Sequence, residues 1–159
     1  MAVINITAGS QAILTMSAAN ATHARPGGGG TVVPTVQDIT VNAGTGTVRY
    51  STLDSSASSA FTTVNENEVT LNMLVDETIF FGTGTGSDVL ANVGLLQQSI
   101  NKTETFFSVA FEGADSTDNF IEGKGFIGGL APSASIDAAV WISPMTIVVN
   151  GELTKGTVA

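Results

Sequence analysis

The sequence has no cysteine, one histidine and few charges, and each scarcity removes a class of function. Without cysteine there is no disulfide framework, no thiolate nucleophile and no cysteine-ligated metal. The single histidine, His23, sits in a run of small residues and glycines (AANATHARPGGGG), where nothing fixes it against a nucleophile or a metal. No triad can be assembled, and the sequence offers no catalytic residue, no cofactor motif and no metal-ligand set. Asp115 and Asp118 lack the alternate oxygen ligands and later glutamate of a calcium loop, so they read as a solvated turn. GTGTGS at 82–87 lacks the Gly-Lys-Ser/Thr ending of a phosphate loop and reads as turn chemistry. The sequons at Asn5, Asn20 and Asn101 are short enough to arise by chance.

Long apolar runs are also missing. No stretch of 18 apolar residues occurs, so a membrane-spanning helix is not expected, and the N-terminal residues lack the basic start and continuous apolar centre of a signal peptide. Synthesis in the cytosol is the expectation. Only 12% of residues are charged against 43% hydrophobic, and the formal net charge is −9. Residues 1–34 hold Arg25 and no acid, so all 14 acids lie beyond them. A body this acidic disfavours binding to phosphates or anionic lipid. A surface with so little charge suits a protein covered by copies of itself.

What is present points to a mainly β fold. At 159 residues the chain is sized for one domain, residues 1–159, a β-sandwich or barrel with one flanking helix and long flexible loops. Residues 1–17 alternate weakly, enough for one or two short strands. Residues 18–34, with four consecutive glycines at 27–30, are expected to be a flexible loop or arm. Residues 35–42 and 47–53, separated by AGTG, read as a hairpin, with Ile39 beside Val41 on one strand and Val48 beside Tyr50 on the other. Residues 54–67 read as a second loop, rich in serine and anchored by Phe61 and Val64. Val69, Leu71, Met73 and Val75 then alternate cleanly on a strand that can continue from Thr78 to Phe81.

From Ser87 the spacing becomes helical, and one helix is expected over about 87–99, with Ser87 or Asp88 as N-cap. Gly94 inside it would cost roughly 1 kcal/mol relative to alanine. Phe107, Val109 and Phe111 alternate on a further strand, and EGADSTDN, residues 112–119, breaks the chain before the last section.

That section, residues 120–154, is the most organised part of the sequence. Gly123, Gly125, Gly128 and Gly129 punctuate one extended piece, where missing side chains allow close backbone approach, bulges or bends. Ile136, Ala138, Val140 and Ile142 form an inward row, alternating with Ser135, Asp137, Ala139, Trp141 and Ser143. Ser143-Pro144 interrupts the run, since proline cannot donate to a ladder, and Met145, Ile147 and Val149 restart it after a corner. The outward positions combine Ala139, Trp141 and Val148 with Asp137, Thr146, Asn150 and Glu152. Such an apolar mixture on an outer face needs a cover, either a helix or loop of the same chain or another subunit.

Residues 123–140 (GKGFIGGLAPSASIDAAV) and 145–156 (MTIVVNGELTKG) resemble the end of bacteriophage tail tube, or major tail, proteins. The resemblance implies a structural virion protein and no enzyme: a subunit made in the host cytoplasm that assembles into hexameric rings in the phage tail. The rings stack into a conduit for DNA ejection and meet other tail proteins, while DNA passes without specific binding. It implies Asp137, Thr146, Asn150 and Glu152 as lumen-facing positions and Ala139, Trp141 and Val148 as inter-subunit contacts. Two other readings of the residues stand beside it. One is a capsid decoration or cement protein fastened by its N-terminal arm; the other is a monomeric carbohydrate- or cell-surface-binding β domain using Trp141 and Tyr50.

Overall fold

A computed structural model describes residues 13–18, 31–33, 35–54, 57–63, 66–84, 93–111 and 119–157. The protein is mainly β, as its composition indicates. Among the described residues there are eleven strands: β1 (Ile13–Ala18), β2 (Thr31–Val32), β3 (Val36–Gly44), β4 (Thr47–Tyr50), β5 (Ser59–Thr62), β6 (Glu66–Leu74), β7 (Glu104–Ala110), β8 (Asn119–Gly128), β9 (Ser133–Ser135), β10 (Ala138–Val149) and β11 (Thr154–Thr157). Among the described residues two short helices, α1 (Glu77–Phe81) and α2 (Leu95–Asn101), lie between β6 and β7.

Nine strands form one antiparallel sheet in the order β2-β1-β7-β8-β10-β6-β3, with β11 on β8 and β9 on β10; β4 and β5 pair by themselves. β8 is the pivot. One flank of it pairs with β7 along its length, from Glu104↔Phe126 to Ala110↔Phe120. Its other flank is divided: residues 119–122 pair with β11, and residues 125–128 with β10.

Alternation decides which side chains enter the core. Val69, Leu71 and Met73 from β6, Met145 and Ile147 from β10, Phe107 and Val109 from β7, and Leu14 and Met16 from β1 are all buried in one cluster, capped by Phe80 and Leu95 from the helices. Burying a side chain of this size contributes roughly 1.5–3 kcal/mol relative to exposure, so the alternating residues select the register. The glycine row on β8 serves the same packing. A Cβ on Gly125 would lie 2.4 Å from the Val148 carbonyl oxygen, so its absence lets β8 and β10 approach.

Several expectations are corrected. β10 runs unbroken through Pro144, with no corner. On its β6 flank Pro144 stands opposite Asn72, while on the other flank the pairing with β9 ends at Ile142 and the pairing with β8 begins at Thr146. The proline thus falls where that flank has no ladder partner, and it costs the sheet nothing there. The inward row is Ser143, Met145 and Ile147; Ile136 and Val140 are exposed, because the β9–β10 end of the strand pair runs beyond the core.

The 35–53 segment does not fold into a hairpin on itself. β3 pairs with β6, from Val36↔Met73 to Gly44↔Glu66, and β4 pairs with β5, from Thr47↔Thr62 to Tyr50↔Ser59. Thr63 N donates to Gly46 O at 2.7 Å between the two ladders. Residues 36–74 therefore form one long interrupted hairpin, and the expected serine-rich loop at 54–67 holds β5 and the start of β6. The local turn at AGTG lost to a long-range pairing because β6 offers β3 a buried apolar face and β4 does not. At the end of the expected arm, Thr31 and Val32 join the sheet and Val33 is buried, donating its N–H to Leu14 O at 2.8 Å. Residues 19–30 and 34, with His23, lie outside the described residues, as do 1–12, Val64, Asp115 and Asp118.

Residues 77–81 are helical rather than a continuation of β6. Asp76 caps α1, its carboxylate accepting from Ile79 N at 3.0 Å, and Gly82, at φ 75°, ends it. Asp76→Ala should lower stability by about 1 kcal/mol in urea denaturation, while Asp76→Asn, which keeps an acceptor, should lose little. The expected helix over 87–99 is broken at Gly94, which has φ 82° and ψ 156° and is the N-cap of α2; residues 85–92 lie outside the described residues.

Candidate functional site: a polar sheet face and two exposed hairpins

The face of β3, β6, β10 and β8 opposite the core is set by the same alternation that buries Val69, Met145 and Ile147. Cross-strand pairing arranges it in rows. One row reads Asn42, Glu68, Val148, Phe126, Glu104; the next reads Thr40, Thr70, Thr146, Gly128; a third reads Asp38, Asn72, Pro144. Asn72 Nδ2 donates to both carboxylate oxygens of Asp38, at 3.0 and 3.2 Å. Asn150, just past β10, donates its Nδ2 to Glu104 Oε2 at 2.6 Å and its backbone N–H to Lys124 O at 2.7 Å.

Charge on this face is one-sided. Asp38, Glu66, Glu68 and Glu104 carry carboxylates and Lys124 the ammonium, with threonines and asparagines between them. Lys124 stacks on Phe106 with Nζ 5.8 Å from the ring centroid, so its charge is held at the β7 side. A face of hydroxyls, amides and carboxylates carries negative potential and gives polyphosphate no pocket of positive charge.

Thr146 and Val148 lie together on this face, and Asn150 at its border. Val148 is 54% exposed and stands beside Phe126, so the two form an apolar island on an otherwise polar face. Asp137 sits elsewhere, in the turn between β9 and β10, and Glu152 in the connection from β10 to β11; both are exposed. The seven singled-out residues therefore divide between the sheet face, the hairpin and a connection.

The β9–β10 hairpin carries Ile136, Asp137, Ala139, Val140 and Trp141, all exposed, with Trp141 at 56%. The tryptophan's carbonyl accepts from Val75 N at 2.9 Å, which ties the strand to the start of α1 while the indole stays uncovered. A second hairpin, β4–β5, is exposed along its whole described length. Its apolar residues are Val48, Tyr50, Leu53 and Phe61, and the Tyr50 and Phe61 rings meet at a centroid distance of 6.1 Å. Near its tip the Thr52 hydroxyl bonds to Asp54 and holds that carboxyl below its ordinary pKa. Isolated exposed apolar residues are ordinary, but a clustered set on a projecting element marks an interaction surface. Sequence reasoning missed this hairpin, because its serines resemble a loop; the alternation of Val48 with Tyr50, and Phe61 within SAFT, were the available signals.

No protein-family model matches the chain, and no curated protein matches it in sequence. Solved structures do. A chain of the SPP1 tail tube superposes with a TM-score of 0.68 at 12% identity, covering 96% of this chain and 80% of that one. The chain has the tail tube fold. A chain from the tail of an empty gene transfer agent particle, described with C6 symmetry, shares this fold with a TM-score of 0.65 at 10% identity, over 94% of this chain and 98% of that one. A chain from the sheath/tube terminator of PVC, an extracellular contractile injection system, shares it with a TM-score of 0.61 at 12% identity, over 98% and 99% of the two chains.

Proposed function

We propose that the chain is a structural subunit of a phage-type tail tube, located in the virion tail. Copies of it form rings, six to a ring, that stack into a conduit for DNA ejection. The observation that carries this reading is the nearly full-length likeness to chains taken from assembled tails and tubes, one of them described with C6 symmetry. The role is non-enzymatic, and its partners are other copies of the chain and other tail components.

The geometry supplies a division of labour. The rows led by Asn42, Thr40 and Asp38 form the wall, with Thr146 and Asn150 among its polar positions. Carboxylates on a narrow wall discourage phosphates from sticking, since screening at physiological salt acts over about 8 Å. Ala139 and Trp141, joined here by Asp137, Tyr50, Leu53 and Phe61, form contacts between subunits. Among the described residues β2 and β3 end the sheet, and end strands of this kind are where neighbouring sheets would continue into one another.

Negative-stain microscopy of the purified chain tests the reading. Rings or tubes are expected from the wild type. The combined variant Tyr50→Ser, Leu53→Ser, Phe61→Ser should give dispersed single particles with an unchanged circular dichroism spectrum, because these side chains contribute nothing to the core. A wild-type chain that stays monomeric at high concentration would overturn the proposal.

A further inference from the structure

Asn-Gly occurs once in the sequence, at Asn150-Gly151. It lies where β10 has ended and the chain bends toward β11. Both residues are exposed, Gly151 has φ 95°, and a Cβ placed on it would meet nothing within 4 Å. A backbone nitrogen with no flanking side chain thus follows an accessible amide, on a segment outside the strand ladders. The amide itself is held against Glu104, its Nδ2 donating to Oε2 at 2.6 Å.

We propose that Asn150 is a site of self-modification by deamidation. The Gly151 backbone nitrogen attacks Asn150 Cγ; the new N–Cγ bond forms as the Cγ–Nδ2 bond breaks, and the proton lost from the Gly151 nitrogen leaves with the amide as ammonia. Water then opens the five-membered succinimide at either carbonyl, giving aspartate or isoaspartate. No oxidant, reductant or enzyme is required. Glycine is needed at 151 because a Cβ there would crowd the attacking nitrogen and strain the positive φ.

The product changes the electrostatics at this corner of the sheet. A charge-assisted hydrogen bond from amide to Glu104 becomes a contact between two carboxylates, which repel one another. The isoaspartate form also lengthens the main chain by a methylene between β10 and β11. Each event adds one negative charge beside Glu104 and Lys124, so the polar face becomes more acidic with age. This inference does not depend on the tube reading.

Peptide mapping of the purified full chain, held in mildly alkaline buffer and sampled over weeks, tests it. The amide-to-acid mass gain should accumulate at Asn150 on the order of tenfold ahead of every other asparagine, as paired aspartate and isoaspartate peptides that take up heavy oxygen from labelled water. Asn150→Gln, which would have to close a six-membered ring, should abolish the reaction at this position while leaving the fold unchanged by circular dichroism. Conversion at Asn150 no faster than elsewhere, or none at all, would overturn the proposal.

Discussion

Replacing Gly94 by alanine should destabilise the protein by roughly 2–6 kcal/mol, the sum of a backbone-strain cost of about 1–3 kcal/mol and an overpacking cost of about 1–3 kcal/mol. Helix propensity alone gives the opposite sign, a gain of about 1 kcal/mol, if Gly94 is placed in a helix interior. The structure places it at the N-cap of α2, at φ 82° and ψ 156°, a conformation nearly closed to residues with a Cβ. A Cβ there would lie 2.4 Å from Phe81 C, 2.5 Å from Gly82 N and 2.8 Å from Phe80 O. All three are backbone atoms, so no rotamer change relieves the clash, and α1 and α2 must separate. Urea denaturation of the unassembled chain measures the effect. Unchanged or raised stability in Gly94→Ala would mean that the end of α1 does not pack on this residue.

Phe107→Ala should cost about 3–5 kcal/mol, the range for removing a buried aromatic ring from a core. Phe107 has no exposed surface, and its ring fills the space left by the missing Cβ of Gly123, whose position is 3.4 Å from Phe107 Cζ. The cavity left by truncation would open between β7 and β8, where the flanking ladders limit collapse. Phe61→Ala is the matched control. Its ring is 54% exposed on the β4–β5 hairpin and contacts Tyr50, so the unassembled chain should change by no more than about 0.5 kcal/mol. Equal effects of the two substitutions on the urea midpoint would contradict the placing of one phenylalanine in the core and the other on an exposed hairpin.

The parts of the fold that were legible in the sequence are those where one strand has one covered face throughout. β6 is the clearest, since Val69, Leu71 and Met73 alternate with polar residues and all enter the core. β10 was misread in phase because periodicity announces two faces without saying where the cover ends. Ile136 and Val140 alternate as core residues do, yet they lie on the stretch that outruns the core. α1 was missed because five residues are too few to establish a helical period; Asp76 and Gly82 were its only signals. The pairing of β3 with β6 is a long-range choice that no local turn signal carries. Of the candidate site, the uncovered Trp141 and Val148 could be anticipated from apolar residues in outward positions. The rows of the polar face could not, since they exist only once five strands from distant parts of the chain are in register.

The long interrupted hairpin has a mechanical consequence. Its tip, between β4 and β5, is rooted through β6, which lies inside the sheet between β3 and β10. A pull along the hairpin drags β6 lengthwise against β10, whose registered pairs extend from Ile142↔Leu74 to Val148↔Glu68. Load reaching the tip is therefore borne in shear by the whole ladder at once, instead of opening its hydrogen bonds one after another.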